Sequence, residues 1–256
     1  MEKEKIFSEL KKYVYAHRGY HNKPDIPENS LPAFRRAIER GWGAELDVHL
    51  IKDGSLVVFH DSDIKRCTGE EGIIEDMTLD EVKALRLEGT DERIPTFDEV
   101  LELFENTSPL IIELKAYRGN HAGLTEAVCR RLDSYKGLYC IESFDPRVIM
   151  DYRRMRPDTV RGQLSCDFRK EPDVDVRNWQ RPVLTAMLFN IFSKPDFVAF
   201  KYEDMGCCGF KRAVRHGAVP VAWTIRNKDA FDDCLSRGMI PIFEKFDPEK
   251  EQEAGK

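Results

Sequence analysis

Short apolar runs recur along this chain at 14–16, 44–48, 110–114, 138–141, 160–164, 197–200, 219–223 and 239–243, and longer segments of helical spacing separate most of them. The helical segments cover 31–40, which ends at Gly41, then 97–105, 125–132, 147–155, 182–192, 209–215 and 229–236. Continuous apolar runs suit strands covered on both faces, and strands alternating with helices pair in parallel through right-handed crossovers. Eight such units fit a closed (β/α)₈ TIM barrel of the α/β class better than an open sheet. With 256 residues and no internal repeat, low-complexity tract or Gly/Ser/Pro-rich linker, the chain reads as a single domain over 1–256.

Two segments break the alternation. Residues 48–60 read as a β-hairpin around Asp53-Gly54, a strong two-residue turn pair. A loop of those two residues sets Asp47 opposite His60, and directly paired side chains lie about 4.5–5.5 Å apart at Cβ. Residues 62–93 are mixed and polar, too long for an ordinary strand-to-helix connection, and are expected to form a small cap over the loop end of the barrel.

Barrel active sites collect at the C-terminal ends of the strands, so polar residues there carry the most weight. The first run ends in His17-Arg18-Gly19, the second in Glu45-Leu46-Asp47 and the third in Glu113-Leu114-Lys115; Trp223 ends the seventh. Residues two apart on a strand share a face, so Glu45 pairs with Asp47 and Glu113 with Lys115. Three converging carboxylates are costly alone, because two unit charges about 4 Å apart repel by about 4 kcal/mol at an effective dielectric near 20. Either their pKa values rise or a cation sits among them. An all-oxygen set suits one hard divalent ion, Mg²⁺ or Ca²⁺ with Mn²⁺ as a further candidate, rather than zinc. Arg18 and Lys115 are not ligands for such an ion and are placed to neutralise a bound phosphate.

Composition narrows the surroundings of that site. A net charge of −6 offers no overall field for nucleic acid or an anionic membrane, so a phosphate ligand depends on local cations. The seven cysteines are odd in number and show no CxxC spacing, which argues against a disulfide framework or a zinc cluster and for thiols in a reducing cytosol. The first residues, MEKEKIFSELKKY, lack the apolar core of a signal peptide, and no apolar stretch approaches the roughly 20 residues of a membrane span. The expectation is a cytoplasmic protein, monomer or homodimer, with a small-molecule substrate, no nucleic-acid partner and no stable membrane association.

Several stretches together resemble the glycerophosphodiester phosphodiesterase family. They are HRG at the first strand, PENS before the first helix, ELDVHLIKDGSLVVFHD across the hairpin and IELK at the third strand. RCTGEEGIIEDMTLDEVKAL through the cap, IPTFDEVL, ESFDP and AWT continue the likeness in order. The resemblance implies a TIM barrel in which Glu45, Asp47 and Glu113 hold one divalent metal. It also implies His17 and His60 as the acid–base pair and Arg18 and Lys115 as phosphate contacts. The implied reaction is hydrolysis of a glycerophosphodiester to sn-glycerol 3-phosphate and an alcohol, with water or the neighbouring glycerol hydroxyl as attacker. Trp223 and Phe144 read either as core packing or, as the resemblance implies, as an apolar wall for the glycerol. One departure stands out: the family usually closes the eighth strand with Thr-Asp and a nearby proline, whereas this chain has Phe243-Glu244-Lys245-Phe246-Asp247-Pro248. That change bears on substrate preference more than on reaction class.

Other residues have plainer readings. Ser30 is a natural helix N-cap with Pro32 in the first turn, while Glu28 and Asn29 either reach the site or belong to the loop. His21, His49, His121 and His216 read as non-catalytic, and the charged stretch 167–180 as a second lid. Two rival functions remain: a related barrel phospholipase or lyase that stops at a cyclic phosphate, and a catalytically silent phosphate-binding barrel.

Overall fold

A computed structural model of the chain describes residues 2–171 and 176–250. In chain order its strands are β1 Tyr15–His17, β2 Gly43–Leu50, β3 Leu56–Val58, β4 Leu110–Leu114, β5 Tyr139–Ser143, β6 Arg161–Ser165, β7 Phe197–Lys201, β8 Val219–Ile225 and β9 Ile240–Phe243. Apart from β3, each pairs in parallel with two neighbours, and β1 joins both β2 and β9. The sheet therefore closes into an eight-stranded parallel barrel, and each of the eight predicted runs lies on one of its strands. The helices are α1 Glu2–Leu10, α2 Leu31–Glu39, α3 Lys65–Thr68, α4 Leu79–Ala84, α5 Phe97–Phe104, α6 His121–Leu132, α7 Pro146–Met155, α8 Gln180–Thr185, α9 Asn190–Ser193, α10 Cys208–Arg215 and α11 Lys228–Ser236.

Local chemistry starts the helices where the sequence signals them. Ser30 caps α2 by accepting from the Ala33 amide at 3.3 Å, and Thr96 and Glu99 close a capping box at the start of α5. The buried faces of α2 and α5 meet at Phe34 and Phe104, whose rings sit edge to face with centroids 5.7 Å apart. Full burial of a side chain of this size contributes about 1.5–3 kcal/mol.

The structure departs from the sequence reading in four places. Helix α1 was not expected; charged residues interrupt its apolar pattern, yet Ile6, Phe7 and Leu10 pack against the barrel interior. Helix α6 begins at His121, four residues before the predicted 125. The expected helix at 182–192 is broken into α8 and α9 at Met187, which has φ +50, and Arg212 of α10 takes the Ala186 carbonyl.

The fourth departure is the hairpin. Its register pairs Val48 with Val58 and Leu50 with Leu56, and the Ile51 amide donates to Ser55 O at 3.0 Å. The loop is thus three residues, Lys52, Asp53 and Gly54, with Gly54 in the left-handed region at φ +88. Asp47 therefore faces Phe59, not His60, and the Phe59 amide donates to Asp47 O at 3.0 Å.

The segment after the hairpin packs with it around a small core of Ile51, Val57, Phe59, Ile64, Cys67, Ile74, Val82, Leu87 and Ile94. This is the predicted cap, with α3 and α4 inside it. In the second predicted lid, Phe168–Lys170 is a short 3₁₀ turn and Gln180 opens α8, while 172–175 lie outside the described residues. Of the described cysteines, Cys67, Cys129, Cys140, Cys166 and Cys234 are buried and Cys208 is exposed. No helix among the described residues is long and apolar enough to cross a membrane. Large apolar side chains are nevertheless exposed around α8 and α9, at Trp179, Leu188, Phe189, Ile191 and Phe192.

Candidate active site

The inward face of the strands changes chemistry in one step of the pleat. Tyr15, Ile111, Cys140 and Ile242 share a buried apolar cluster with Leu10 of α1, and the next inward residues are His17, Glu113, Glu142 and Glu244. Parallel register then brings these groups to one level. His17 pairs with Glu45, Asp47 with Glu113, and Glu113 with Glu142. One oxygen each from Glu45, Asp47 and Glu113 lies within 4.8 Å of the other two, and all three residues are buried.

Cations and amides only partly balance this cluster. Lys115 Nζ sits 3.0 Å from Glu113 Oε1 and 3.3 Å from Asp47 Oδ1. The Arg18 amide donates to Glu45 Oε2 at 3.1 Å, Asn29 Nδ2 donates to Asp47 Oδ2 at 2.9 Å, and Arg18 Nε lies 3.6 Å from that same oxygen. Burial would raise Asp47, but Lys115, His60, Arg18 and the Asn29 amide together hold its carboxyl well below the usual range. Glu45 is pushed well up by burial and by the charges of Asp47, Glu113 and Glu142. Burial, with Asp47 beside it, lifts Glu113 to about 7.

The donor set fits a hard divalent cation. Every candidate ligand is a carboxylate oxygen, Asp47 Oδ1 accepts no hydrogen bond, and the buried Glu142 Oε2 has no partner. Lys115 and Arg18 bring positive charge to Asp47, while burial and mutual repulsion raise Glu45, Glu113 and Glu142, so a further cation would stabilise their ionised forms.

Both histidines stand at this cluster. His17 Nδ1 donates to Glu244 Oε2 at 2.8 Å, and His17 Nε2 lies 3.9 Å from Glu45. Burial and the neighbouring Arg18 lower His17 to about 4. His60 comes to the site through the turn after β3, where its backbone oxygen accepts from His49 Nε2 at 3.3 Å. Its Nδ1 donates to Asp61 Oδ1 at 2.5 Å, and the charges of Lys115, Asp47 and Arg18 act on the ring. Phe144 and Trp223 meet edge to face at 5.6 Å, Phe168 packs on Phe144 at 6.1 Å, and the buried Trp223 Nε1 has no partner.

A model of the glycerophosphoryl diester phosphodiesterase family matches residues 17–246, a span that takes in the whole of this cluster. The chain belongs to that family. A glycerophosphodiester phosphodiesterase of Caldanaerobacter subterraneus subsp. tengcongensis is 33% identical over 250 residues, covering 94% of this chain and 96% of its own. A glycerophosphodiester phosphodiesterase structure from Thermotoga maritima superposes with a TM-score of 0.68 at 27% identity, covering 91% of this chain and 94% of that one. An Oleispira antarctica phosphodiesterase, solved with its product sn-glycerol-3-phosphate, shares the fold with a TM-score of 0.76 at 23% identity. That likeness covers 93% of this chain and 94% of the other.

Within this glycerophosphoryl diester phosphodiesterase barrel the structure gathers His17, Arg18, Glu45, Asp47, His60, Glu113 and Lys115 at one end. Of the two loop residues with open readings, Asn29 reaches Asp47, whereas Glu28 pairs with Arg18 at 2.8 Å and Arg66 at 2.7 Å. Arg18 and Asn29 adopt left-handed backbone at φ +54 and +53, a strained conformation for residues with side chains. Gly19 must be glycine, because at φ +78 a Cβ would lie 2.9 Å from Ala33. Ser30 acts as the cap, while His121 pairs with Asp151 at 2.7 Å, away from the cluster. His49, though buried, ties Glu75 of the cap to the His60 backbone.

Two site residues escaped the sequence reading. Glu142 lies in the ESFDP stretch at the same depth as Glu113, and only the strand register reveals that it joins the cluster. Glu244 was singled out as a departure without a partner, and its partner is His17.

Proposed function

We propose that this chain is a metal-dependent phosphodiesterase that hydrolyses glycerophosphodiesters to sn-glycerol 3-phosphate and an alcohol, with one barrel and its cap working as a single unit. The observation that carries the reading is the buried carboxylate cluster flanked by two histidines, each bonded through Nδ1 to its own carboxylate. Glu45, Asp47 and Glu113 would hold one divalent cation, Mg²⁺, Ca²⁺ or Mn²⁺. The cation would polarise a phosphoryl oxygen and offset the charge that builds on phosphorus.

The rest of the chemistry belongs to the chain. Arg18 and Lys115 orient the phosphodiester, and Phe144 and Trp223 wall off the glycerol. One imidazole takes the proton of the attacking oxygen at Nε2. The other, protonated, passes its proton from Nε2 to the leaving alkoxide as the P–O bond breaks. Burial lowers both imidazole pKa values in the free protein, and the negative charge of a bound phosphodiester acts in the opposite direction.

A coupled sn-glycerol 3-phosphate assay on glycerophosphocholine and glycerophosphoethanolamine tests the reaction class. Turnover is expected to vanish with EDTA and return with one of the three ions. Phosphorus NMR of the products separates the rival reading, since accumulating cyclic phosphate would replace hydrolysis by a lyase step. No turnover with any ion would sink the proposal in favour of a silent phosphate-binding barrel.

The cluster also sets a pH dependence. Glu113 keeps its proton up to about 7 instead of the ordinary carboxylate value, so below that pH the ion must displace a proton to bind. Glu45 is raised as well, so affinity is expected to fall by at least about tenfold for each unit of pH below about 7. Calorimetry between pH 5.5 and 8.5 reads both the affinity and the released proton. An affinity that does not change with pH would contradict the assignment of Glu113.

A further inference from the structure

We propose that Glu244 is a positioning residue for His17, holding the ring proton on Nδ1 so that Nε2 is the nitrogen that works on the substrate. The inference rests on the acid–base reading of His17 above.

The fold explains why a residue so distant in sequence is available. β9 closes the barrel against β1, with Tyr15 paired to Ile242 and Ala16 to Phe243, so the next step places Glu244 level with His17. Glu244 Oε2 accepts from His17 Nδ1 at 2.8 Å. An ionised carboxylate has no proton to give, so the bond requires the proton on Nδ1 and leaves Nε2 with its lone pair. Glu244 is ionised: burial raises it, but bonds from His17 and Arg226, with the His21 ring 3.6 Å away, hold it far below the usual carboxylate range.

The carboxylate is itself fixed. Arg226 Nε donates to Glu244 Oε1 at 2.8 Å, and the Glu244 amide donates to Ile225 O at 2.9 Å. The residue is only 8% exposed. The other histidine has the same construction, for Asp61 accepts from His60 Nδ1 at 2.5 Å and takes Arg66 Nε on its second oxygen at 2.5 Å. Two imidazoles from different parts of the chain thus each carry a carboxylate on Nδ1 and a guanidinium behind it. Such outer partners fix the tautomer and ring orientation of the histidine they hold.

The test uses the full chain and its Glu244→Gln variant, with Glu244→Asp as the conservative control. Glutamine keeps the shape but can donate as well as accept, so it no longer selects one tautomer. Glu244→Gln is expected to lower kcat about 10–100-fold with KM nearly unchanged, the range typical of lost outer partners. Glu244→Asp should recover part of that loss. ¹⁵N NMR of the His17 ring at pH 8, without ion or substrate, should show a proton on Nδ1 in the wild type and a mixture in Glu244→Gln. A wild-type ring protonated at Nε2 overturns the proposal even if the variants fail to fold. Full turnover by Glu244→Gln beside an inactive His17→Ala overturns it while leaving the reading of His17 intact. Full turnover by His17→Ala overturns both, and so identifies the broader reading as the one that failed.

Discussion

His17→Ala and His60→Ala are each expected to lower kcat by about 10²–10⁴-fold, the usual contribution of a positioned proton donor or acceptor. KM should change little, because neither ring is among the groups assigned to the phosphate or the glycerol. Fold should also survive. Glu244 loses its bond to His17 in the first variant but keeps Arg226, and Asp61 in the second keeps Arg66. The loss in the double variant should stay close to that of the worse single variant, because proton removal and proton delivery serve the same displacement. Steady-state kinetics with a saturating divalent ion and a thermal melt decide the matter. A single variant with wild-type kcat and an intact melt would remove that histidine from the chemistry.

Much of this architecture was legible because burial on both faces of a barrel strand leaves a continuous apolar run. Helix α1 was not, since its charges masked Ile6, Phe7 and Leu10, which only the closed barrel can use. The carboxylates of β2 were legible as a local pair two residues apart on a strand. The structure brings His60 to the carboxylate cluster, but its expected position opposite Asp47 was wrong. One additional loop residue, with Gly54 at φ +88, shifts the register, and a one-residue slip reverses which face each side chain occupies. Glu142 and Glu244 demand more than local pattern. Glu142 joins the cluster through the register of β4 against β5, and Glu244 through the closure of β9 on β1. Those relations link distant segments, and no window of sequence contains them.

The carboxylate cluster leads to a crossover in stability when Glu45 is replaced by glutamine. Glutamine keeps an oxygen for the Arg18 amide, which donates to Glu45 Oε2 at 3.1 Å, so local geometry is retained. Ion binding should weaken by at least about a hundredfold, beyond the 10–100-fold that outer partners of metal ligands are worth. Stability without the ion should move the other way. The folded-state pKa of Glu45 is raised by burial and by Asp47, Glu113 and Glu142. An acid raised in this way costs nothing below its unfolded value of about 4.3. It costs progressively more as pH rises towards its folded value. At pH 8 the ion-free Glu45→Gln protein should therefore melt above ion-free wild type, and near pH 4 the two should coincide. With excess ion the order reverses, because a ligand at a hundred times its Kd adds about 2.7 kcal/mol to the wild type and far less to the variant. Melting curves at both pH values, with and without the ion, contain the whole test. If the variant melts lower under every condition, Glu45 supports the fold and the carboxylates are not held together against their own repulsion.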